Sequence, residues 1–537
     1  MSILSAYRNK KIKQKELLKI PYCMELNMQD VCPDYMLIVE SDLQTLMTFR
    51  DRKTYSIFQI VLSFCYTAYE AHKRTNCITE CLFDDALSQA NEMDKCDKKL
   101  MLKGIPFSCK DTFDVKGIDT SMGYGNRCQK PAQQTSAIVQ GFMDMGAILI
   151  CKTNVPQSLF ATECSNNVFG YTTNPYHKDY SPGGSSGAEA ALLKCNGAAF
   201  GIGSDIAGSI RFPSGYCGIY GLKMTQSRSI THSMPLLKGN VLIYVVAGPM
   251  ARSSKDLQIL FQYLASPFFF KLDLKTSPLS FTPIPHDKTI KVGYFMDTDF
   301  IRSSPASYRA VFEAINKLKH KGIECKAIKI NNAGDMFSNA MKIYTIDGAK
   351  SLLNTNGDML EKWLYSFFFL IIMPDFLIKI LLFIASFYKD PTVSIFLENF
   401  YTKSVQEIED CALKRIKHID SYLDIMTKND LDVMICPIAS NPAHKTNQFD
   451  KCAFGNYYSV LTSYLDMPVV AHPITHVKPT DKWVDTPTTI GEQLLKKNYD
   501  PSIPLPVGIQ IIGLPYQEEM ALHVSRLLDT IEEGVKR

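Results

Sequence analysis

The sequence lacks several patterns that would assign it to a common class of proteins. Its 58 lysines and arginines are nearly balanced by 54 aspartates and glutamates, which gives no reason to expect nucleic-acid binding. Its 16 cysteines include no C-x-x-C pair, which argues against a zinc ribbon. The first residues lack the apolar core of a secretory signal peptide. The scattered cysteines are therefore expected to be reduced, mostly buried thiols of an intracellular enzyme.

Basic residues are concentrated in the first twenty positions, where Glu16 is the only acid. This segment is interpreted either as a solvated arm or as an arm that contacts anionic lipid headgroups, where each cation contributes about 1 kcal/mol. Residues 1–95 as a whole are expected to form this arm and peripheral helices. One of these helices is indicated by the amphipathic run Tyr55–Ala71.

Short apolar runs alternate with helical patterns from Leu102 onward, which predicts an α/β domain with a mostly parallel sheet. No repeat or internal linker is visible, so residues 96–534 are predicted to form one large domain. The predicted strands are Ala147–Cys151, Ala198–Gly203, Val241–Val246, Lys291–Phe295, Leu431–Ile438 and Val507–Ile512. The predicted helices among them are Tyr308–Lys321, Ser404–Thr427 and Gln517–Ile531.

One segment, residues 363–388, is apolar over a length that would span a bilayer as a single helix. Pro374 and Asp375 interrupt it, and proline removes a hydrogen bond from a helix interior. Two short helices joined by a turn are therefore predicted. Three placements stay open at this point: a spanning helix, a hairpin buried in the core, and a hairpin that dips into one leaflet.

Two loops rich in glycine and serine, residues 182–187 and 203–209, are the most unusual feature of the composition. Because each glycine costs chain entropy on folding, such loops need a functional reason. Phosphate binding is one reason, but neither loop ends in the Gly-Lys-Ser/Thr of a P-loop. A dinucleotide fingerprint can begin at Gly201, but its last glycine then falls on Ile206.

Two catalytic explanations also stay open. Ser185 lies in a G-x-S-x-G pattern before a helix, as in the nucleophile elbow of α/β-hydrolases, and eight histidines follow it. Alternatively, Ser209 is the nucleophile, and consecutive N–H groups of its tight loop form an oxyanion hole. Such a serine needs a base, and a lysine can serve where burial makes it neutral near pH 7. Lys110, at the end of an apolar run, is a candidate, although alone it reads as an ordinary lysine at a strand end.

Three segments together resemble the amidase-signature hydrolases, a family with a Ser–Ser–Lys triad whose middle serine follows a cis peptide. They occur in the family's order and with its spacing. They are Gly104-x-Pro-x-x-x-Lys110-Asp111, Gly183-Gly-Ser185-Ser186-Gly187 and Gly203-Ser-Asp205-Ile-Ala-Gly-Ser209-Ile-Arg211. Other segments are similar to the branch of the family that hydrolyses fatty-acid amides. These are Asn154–Phe160, Phe212–Lys223, Gly248–Arg252 and Leu431–Pro437.

The resemblance implies a twisted, mixed, mostly parallel central sheet with helices on both faces. It implies a serine hydrolase that cleaves N-acylethanolamines, primary fatty amides and esters into fatty acid and amine. Lys110 is implied as the base, Ser185 as the proton relay and Ser209 as the nucleophile. The implied substrate and oxyanion residues are Leu159, Phe160, Ile206, Ala207 and Gly208, with the N–H of Ser209. The residues implied to hold the loops are Ser186, Asp205 and Arg211. No cofactor or metal is implied.

The resemblance also implies a location and partners. The apolar segment 363–388 becomes a membrane-cap hairpin through which lipid substrate enters. The protein is expected to be a peripheral or monotopic membrane protein on the cytoplasmic face of an endomembrane. A homodimer is also implied, in which the two hairpins face the same bilayer. Ala207 and Ala188 stand where the family usually has glycine, and Met224 replaces a proline. If position 207 needs a positive φ, alanine costs about 1 kcal/mol there.

Overall fold

The computed structural model describes residues 3–17, 31–232, 242–285, 287–353, 358–388 and 390–530. Predictions that fall on Lys19, Val241 and Ile531 lie outside these residues. The strands are β1 (Ile78–Cys81), β2 (Pro106–Lys110), β3 (Ile148–Thr153), β4 (Ser165–Asn166), β5 (Gly170–Tyr171), β6 (Phe200–Asp205), β7 (Tyr220–Lys223), β8 (Val246–Ala251), β9 (Lys291–Tyr294), β10 (Glu324–Ala327), β11 (Val433–Pro437), β12 (Val469–His476) and β13 (Pro506–Gly513).

The helices cover both faces of the sheet and add peripheral layers. They are α1 (Ile3–Leu17), α2 (Tyr35–Glu40), α3 (Leu43–Asp51), α4 (Ile57–Thr75), α5 (Phe83–Lys95), α6 (Ala137–Asp144), α7 (Gly187–Lys194), α8 (Arg211–Cys217), α9 (Ser254–Leu264), α10 (Pro267–Phe270), α11 (Pro305–His320), α12 (Ala333–Tyr344), α13 (Lys362–Ile372), α14 (Asp375–Ala385), α15 (Pro391–Leu397), α16 (Val405–Lys428), α17 (Phe449–Cys452), α18 (Tyr457–Tyr464), α19 (Ile490–Lys497) and α20 (Glu518–Asp529).

The central sheet is mixed. Its order is β1-β3-β2-β6-β8-β7-β12-β13-β11-β9-β10. β2 runs parallel to both β3 and β6, whereas antiparallel pairs connect β6, β8, β7, β12, β13 and β11. The single α/β domain with a mixed sheet is therefore confirmed, but the prediction that the sheet is mostly parallel is wrong. Strand direction could not be read from the alternation, because spatial neighbours such as β7 and β12 are far apart in the chain.

The predicted strands match observed ones within two residues at each end, apart from Val241–Val246. That prediction is wrong because the strand begins at Val246 and continues to Ala251. Gly248 and Pro249 lie inside it, and both residue types favour turns when judged from sequence. Their strand is buried throughout, so tertiary packing overrides the local preference.

The basic N-terminal segment is docked on the rest of the molecule, through an inward-facing lysine and through hydrogen bonds from Asn9 to Cys128 and from Gln14 to Val168. Lys13 is buried on α1, and its ammonium group lies 2.7 Å from Glu80 and 3.1 Å from Asp119. β1, from the same part of the sequence, pairs with β3 in the central sheet. Basic residues of α1 that stay exposed are Arg8, Lys11 and Lys15. The arm is thus in part a docked helix, and the boundary between residues 95 and 96 stays a prediction.

The apolar segment forms two helices, α13 and α14, which meet at Pro374 with a bend of 95°. The predicted pair of short helices is therefore confirmed. Within the described ranges no one helix has the length and hydropathy to cross a membrane, and this bent pair meets those criteria only as a unit. Ile371 and Ile378 are buried, whereas Phe369 and Phe383 are 74% and 67% exposed. A hairpin buried in the core is therefore excluded.

Candidate active site

Lys110 is the last residue of β2, a strand whose five residues are all buried. Its Nζ donates hydrogen bonds to Ser185 Oγ at 2.7 Å and to Ser204 Oγ at 2.9 Å. Burial disfavours the charged ammonium and lowers the pKa of Lys110 to about 7. A large fraction of this side chain is therefore neutral at physiological pH, and it can accept a proton.

Ser185 lies in the tight loop that precedes α7. A Cβ on Gly184 would lie 2.4 Å from the carbonyl oxygen of Ala161 and 2.6 Å from that of Glu163, so the loop can approach this backbone only with glycine there. The Gly184–Ser185 peptide is cis, as the resemblance implies. Ser185 is buried, and its hydroxyl meets Lys110 rather than solvent.

Ser209 follows β6 in a loop that is organised by the carboxylate of Asp205. This carboxylate accepts hydrogen bonds from the N–H groups of Gly208 at 2.8 Å and Ile210 at 3.0 Å. It also forms a paired contact with Arg211, from Nη2 at 2.8 Å and Nε at 3.0 Å. Burial alone would raise the pKa of Asp205, but Arg211 and the two N–H groups lower it to about 2. The predicted roles of Asp205 and Arg211 in holding the loop agree with this geometry.

The N–H groups around Ser209 divide into two sets. The N–H of Gly208 is used by Asp205, so it is not a free oxyanion donor in this structure. The N–H groups of Ile206, Ala207 and Ser209 have no acceptor among the described residues. Ala207 is not among the residues with positive φ, whereas Gly208 has φ of +124°. Alanine therefore brings no backbone strain at position 207, and the glycine requirement falls on the next residue.

Ser186 connects the two serine loops. Its N–H donates to the carbonyl oxygen of Ser209 at 3.1 Å. Its hydroxyl donates to the carbonyl oxygen of Ser204 at 3.2 Å and accepts from the N–H of Ser204 at 3.3 Å. This places Ser185 and Ser209 beside each other and fits the predicted supporting role of Ser186.

A cavity with mostly apolar walls begins at Ser209, and its empty space of about 1080 Å³ includes a part that is open to solvent. Leu159 and Phe160 line it, as predicted for residues beside the acyl chain, and so do Ile206 and Ala207. Apolar side chains of α13 and α15 also line it. These are Trp363, Phe367, Ile371, Ile395 and Phe396. The cavity thus connects the candidate nucleophile with the inner face of the hairpin.

Two parts of the site were missed from the sequence. Ser204 provides a second hydroxyl for Lys110 Nζ, and it lies inside the Gly203–Ser209 motif, where its residue type alone does not distinguish it from the other loop residues. Lys152 lies in β3, fully buried, 2.8 Å from the carboxylate of Asp111, and so anchors the residue after Lys110. The sequence contains one indication of the Lys152–Asp111 pair. Lys152 directly follows a predicted apolar strand, and a lysine buried there is expected to have an acidic partner.

The described part of the chain contains no group of three or more histidine, cysteine or acidic residues placed to bind a metal ion. The arrangement of Lys110, Ser185 and Ser209 offers another kind of chemistry. A buried amine that can be neutral contacts one serine, and that serine adjoins a second serine surrounded by free N–H groups. Such a set is suited to acyl transfer through a serine nucleophile.

Comparison of the sequence with known proteins identifies the family. Residues 59–522 match the family described as Amidase. The chain belongs to the amidase family. It is an enzyme that hydrolyses amides. Fatty-acid amide hydrolase 1 of Sus scrofa is 31% identical over 497 residues, which cover 88% of this chain and 82% of that protein.

A solved structure and a second relative show the breadth of this similarity. The structure of a fatty acid amide hydrolase superposes with a TM-score of 0.81 at 27% identity, covering 95% of this chain and 88% of that one. An acetamidase of Aspergillus oryzae is 28% identical over 530 residues, covering 92% of this chain and 90% of that protein. Members named for fatty amides and members named for acetamide are thus similar to this chain to nearly the same degree.

Proposed function

We propose that the protein is a serine hydrolase of long-chain fatty-acid amides, such as N-acylethanolamines and primary fatty amides, and of the corresponding esters. The observation that carries this proposal is the apolar cavity, which starts at Ser209 and extends to α13. Each acyl CH₂ removed from water there contributes about 0.8 kcal/mol. An acetyl group would leave most of these apolar walls uncovered.

In the proposed reaction, neutral Lys110 accepts the proton of Ser185 while Ser185 accepts that of Ser209, and Ser209 Oγ attacks the amide carbon. N–H groups of Ile206, Ala207 and Ser209 stabilise the negative oxygen of the tetrahedral intermediate. When the C–N bond breaks, the proton passes from Lys110 through Ser185 to the leaving nitrogen. Water then gives a proton to the same relay, attacks the acyl-enzyme, releases the fatty acid and restores Ser209.

The second candidate is an amidase of small polar amides, or a subunit that delivers ammonia to a partner. The acetamidase similarity favours it, and the exposed hairpin and the apolar cavity favour the first. We expect kcat/KM for oleamide to exceed that for acetamide by about 100-fold or more, because chain burial adds several kcal/mol of binding. Equal or reversed values would select the small-amide candidate. Measuring both amides with one preparation in detergent micelles provides the comparison.

The proposal includes a location. Exposed apolar patches mark membrane or protein contacts. The outer face of α13 and α14 carries Phe369 and Phe383, and Phe387 follows α14; they are 74%, 67% and 74% exposed. We propose that this face enters one leaflet on the cytoplasmic side of an endomembrane, so that lipid passes from the bilayer to the cavity. A homodimer that presents two hairpins to the same bilayer is part of this proposal.

We expect the triple variant Phe369→Ser, Phe383→Ser, Phe387→Ser to bind phosphatidylcholine vesicles at least about 10-fold more weakly, since each phenylalanine contributes roughly 1.5–3 kcal/mol when buried. Co-sedimentation measures this. Leu274→Ser with Val484→Ser is the matched control, because both side chains are highly exposed, at 90% and 80%, and lie outside the hairpin. Unchanged vesicle affinity of the triple variant would contradict the membrane placement.

A further inference from the structure

Tyr344 links the wall of the cavity to the loop of the candidate nucleophile. It is the last residue of α12, and its side chain lines the cavity. Its hydroxyl donates a hydrogen bond of 2.7 Å to the carbonyl oxygen of Ile206. Burial raises the pKa of Tyr344, so the hydroxyl stays protonated and able to donate at neutral pH. Neither serine loop nor the lysine segment includes this residue.

The peptide between Ile206 and Ala207 transmits the effect of this hydrogen bond. In a planar trans peptide the C=O and the N–H point in opposite directions. Among the described residues the cis bond at Gly184–Ser185 is the only one, so the Ile206–Ala207 peptide is trans. Because Tyr344 holds the carbonyl oxygen of Ile206, the N–H of Ala207 points away from Tyr344. Ala207 lines the cavity beside Ser209, and the described residues offer this N–H no acceptor.

The loop is thus held from two sides. Downstream, Asp205 fixes the N–H groups of Gly208 and Ile210. Upstream, Tyr344 fixes the Ile206 carbonyl. If that carbonyl were released, the peptide could rotate and bring an oxygen rather than an N–H toward the reacting carbonyl, which would repel the developing negative charge.

We propose that Tyr344 is a positioning residue that orients the N–H of Ala207 toward the oxyanion and couples this orientation to the acyl chain in the cavity. This inference rests on the proposed function, because it requires an oxyanion at Ser209. A long chain that fills the cavity packs against the Tyr344 ring and restricts it. With a two-carbon acyl group, the ring keeps its hydrogen bond to Ile206 but has no chain packed against it. Long-chain amides are therefore expected to have a higher kcat as well as a lower KM than short-chain amides.

The test is Tyr344→Phe, which keeps the ring in the cavity wall and removes the hydroxyl. Removing an oxyanion donor outright costs about 10²–10³-fold in kcat, so loss of its orientation is expected to lower kcat for oleamide by about 10- to 100-fold. KM is expected to stay within about twofold, because the apolar wall is preserved. The ratio of kcat for oleamide to kcat for acetamide is also expected to fall.

Tyr422→Phe is the matched control, because Tyr422 is buried and no described residue forms a hydrogen bond with its hydroxyl. It is expected to leave kcat unchanged, and thermal unfolding of both variants confirms that they are folded. If Tyr344→Phe raises KM while kcat is unchanged, Tyr344 only lines the cavity and the inference is wrong. If the wild type cleaves acetamide but not oleamide, the proposed function is wrong, and so is the proposed coupling between the acyl chain and the orientation of the Ala207 N–H. The kcat of Tyr344→Phe for acetamide then still tests the orientation of the Ala207 N–H.

Discussion

Ser209→Ala is expected to lower kcat by about 10⁴-fold or more, because the variant has no atom that can form the acyl-enzyme, while the oxyanion N–H groups remain. Hydrolysis of oleamide, followed by chromatography of the released oleic acid, measures the change. The protein should stay folded, since Ser209 lies in a loop held through Asp205, Arg211 and Ser186 rather than through its own hydroxyl.

Ser214→Ala is the matched control for this change. Ser214 lies on α8, just after the nucleophile loop, and its hydroxyl donates only to the carbonyl oxygen of Ile210, at 2.8 Å. Loss of this local bond should change kcat by no more than a few-fold. If Ser209→Ala retained substantial activity while Ser185→Ala lost all of it, Ser185 would be the nucleophile. That result would favour the alternative in which the G-x-S-x-G segment around Ser185 is a nucleophile elbow, as in α/β-hydrolases.

Lys110→Ala is expected to lower kcat at pH 7 by about 10²–10⁴-fold, the usual contribution of a positioned general base. In the wild type the active form of Lys110 is neutral, and its pKa is about 7. Activity should therefore rise with pH along a limb centred near pH 7 and level off above it. In the variant, hydroxide has to replace the amine, so activity should keep rising with pH. Steady-state rates on oleamide from pH 5.5 to 9 distinguish the two profiles.

The pH dependence of the stability of the wild type and of Lys110→Ala tests the lowered pKa of Lys110 without any measurement of activity. Burial lowers the pKa of Lys110 from the ordinary value of 10.5 to about 7, so between these pH values the unfolded chain binds more protons than the folded one. Wild-type stability therefore gains from Lys110 as pH rises through that window, and Lys110→Ala should lose this dependence. Equal activity of the two proteins at pH 7 would refute a lysine base.

The site could be predicted from sequence because its parts are short motifs with fixed backbone requirements. The loop before Ser185 and the loop around Ser209 need glycine at close backbone approaches and at positive φ, and such positions leave a visible composition. Lys110 was different. Nothing in its own segment distinguishes it from a surface lysine. Only its combination with the two serine motifs, in the order and spacing of the family, does so. The break at Pro374 likewise predicted the two-helix hairpin.

Other features depend on contacts between residues far apart in the chain. Tyr344 meets Ile206 across 138 positions, and Arg211 reaches Gln510 across 299, so no local pattern records either contact. The direction of each strand was lost for the same reason. The N–H of Gly208 was assigned to the oxyanion because it lies in the right loop, but only the structure shows that Asp205 already accepts it. Neither prediction for the basic arm, solvated or in contact with lipid headgroups, includes the burial of Lys13, because its partners, Glu80 and Asp119, belong to other segments.

The central claim is that Ser209 forms the covalent acyl-enzyme, and trapping that residue tests it most directly. A fluorophosphonate with a long alkyl chain reacts with an activated serine and leaves a stable adduct. After proteolysis, mass spectrometry locates the added mass. We expect one label per chain on Ser209, and its loss in both Ser209→Ala and Lys110→Ala. A label on Ser185, or no label on folded protein that hydrolyses oleamide, would contradict it.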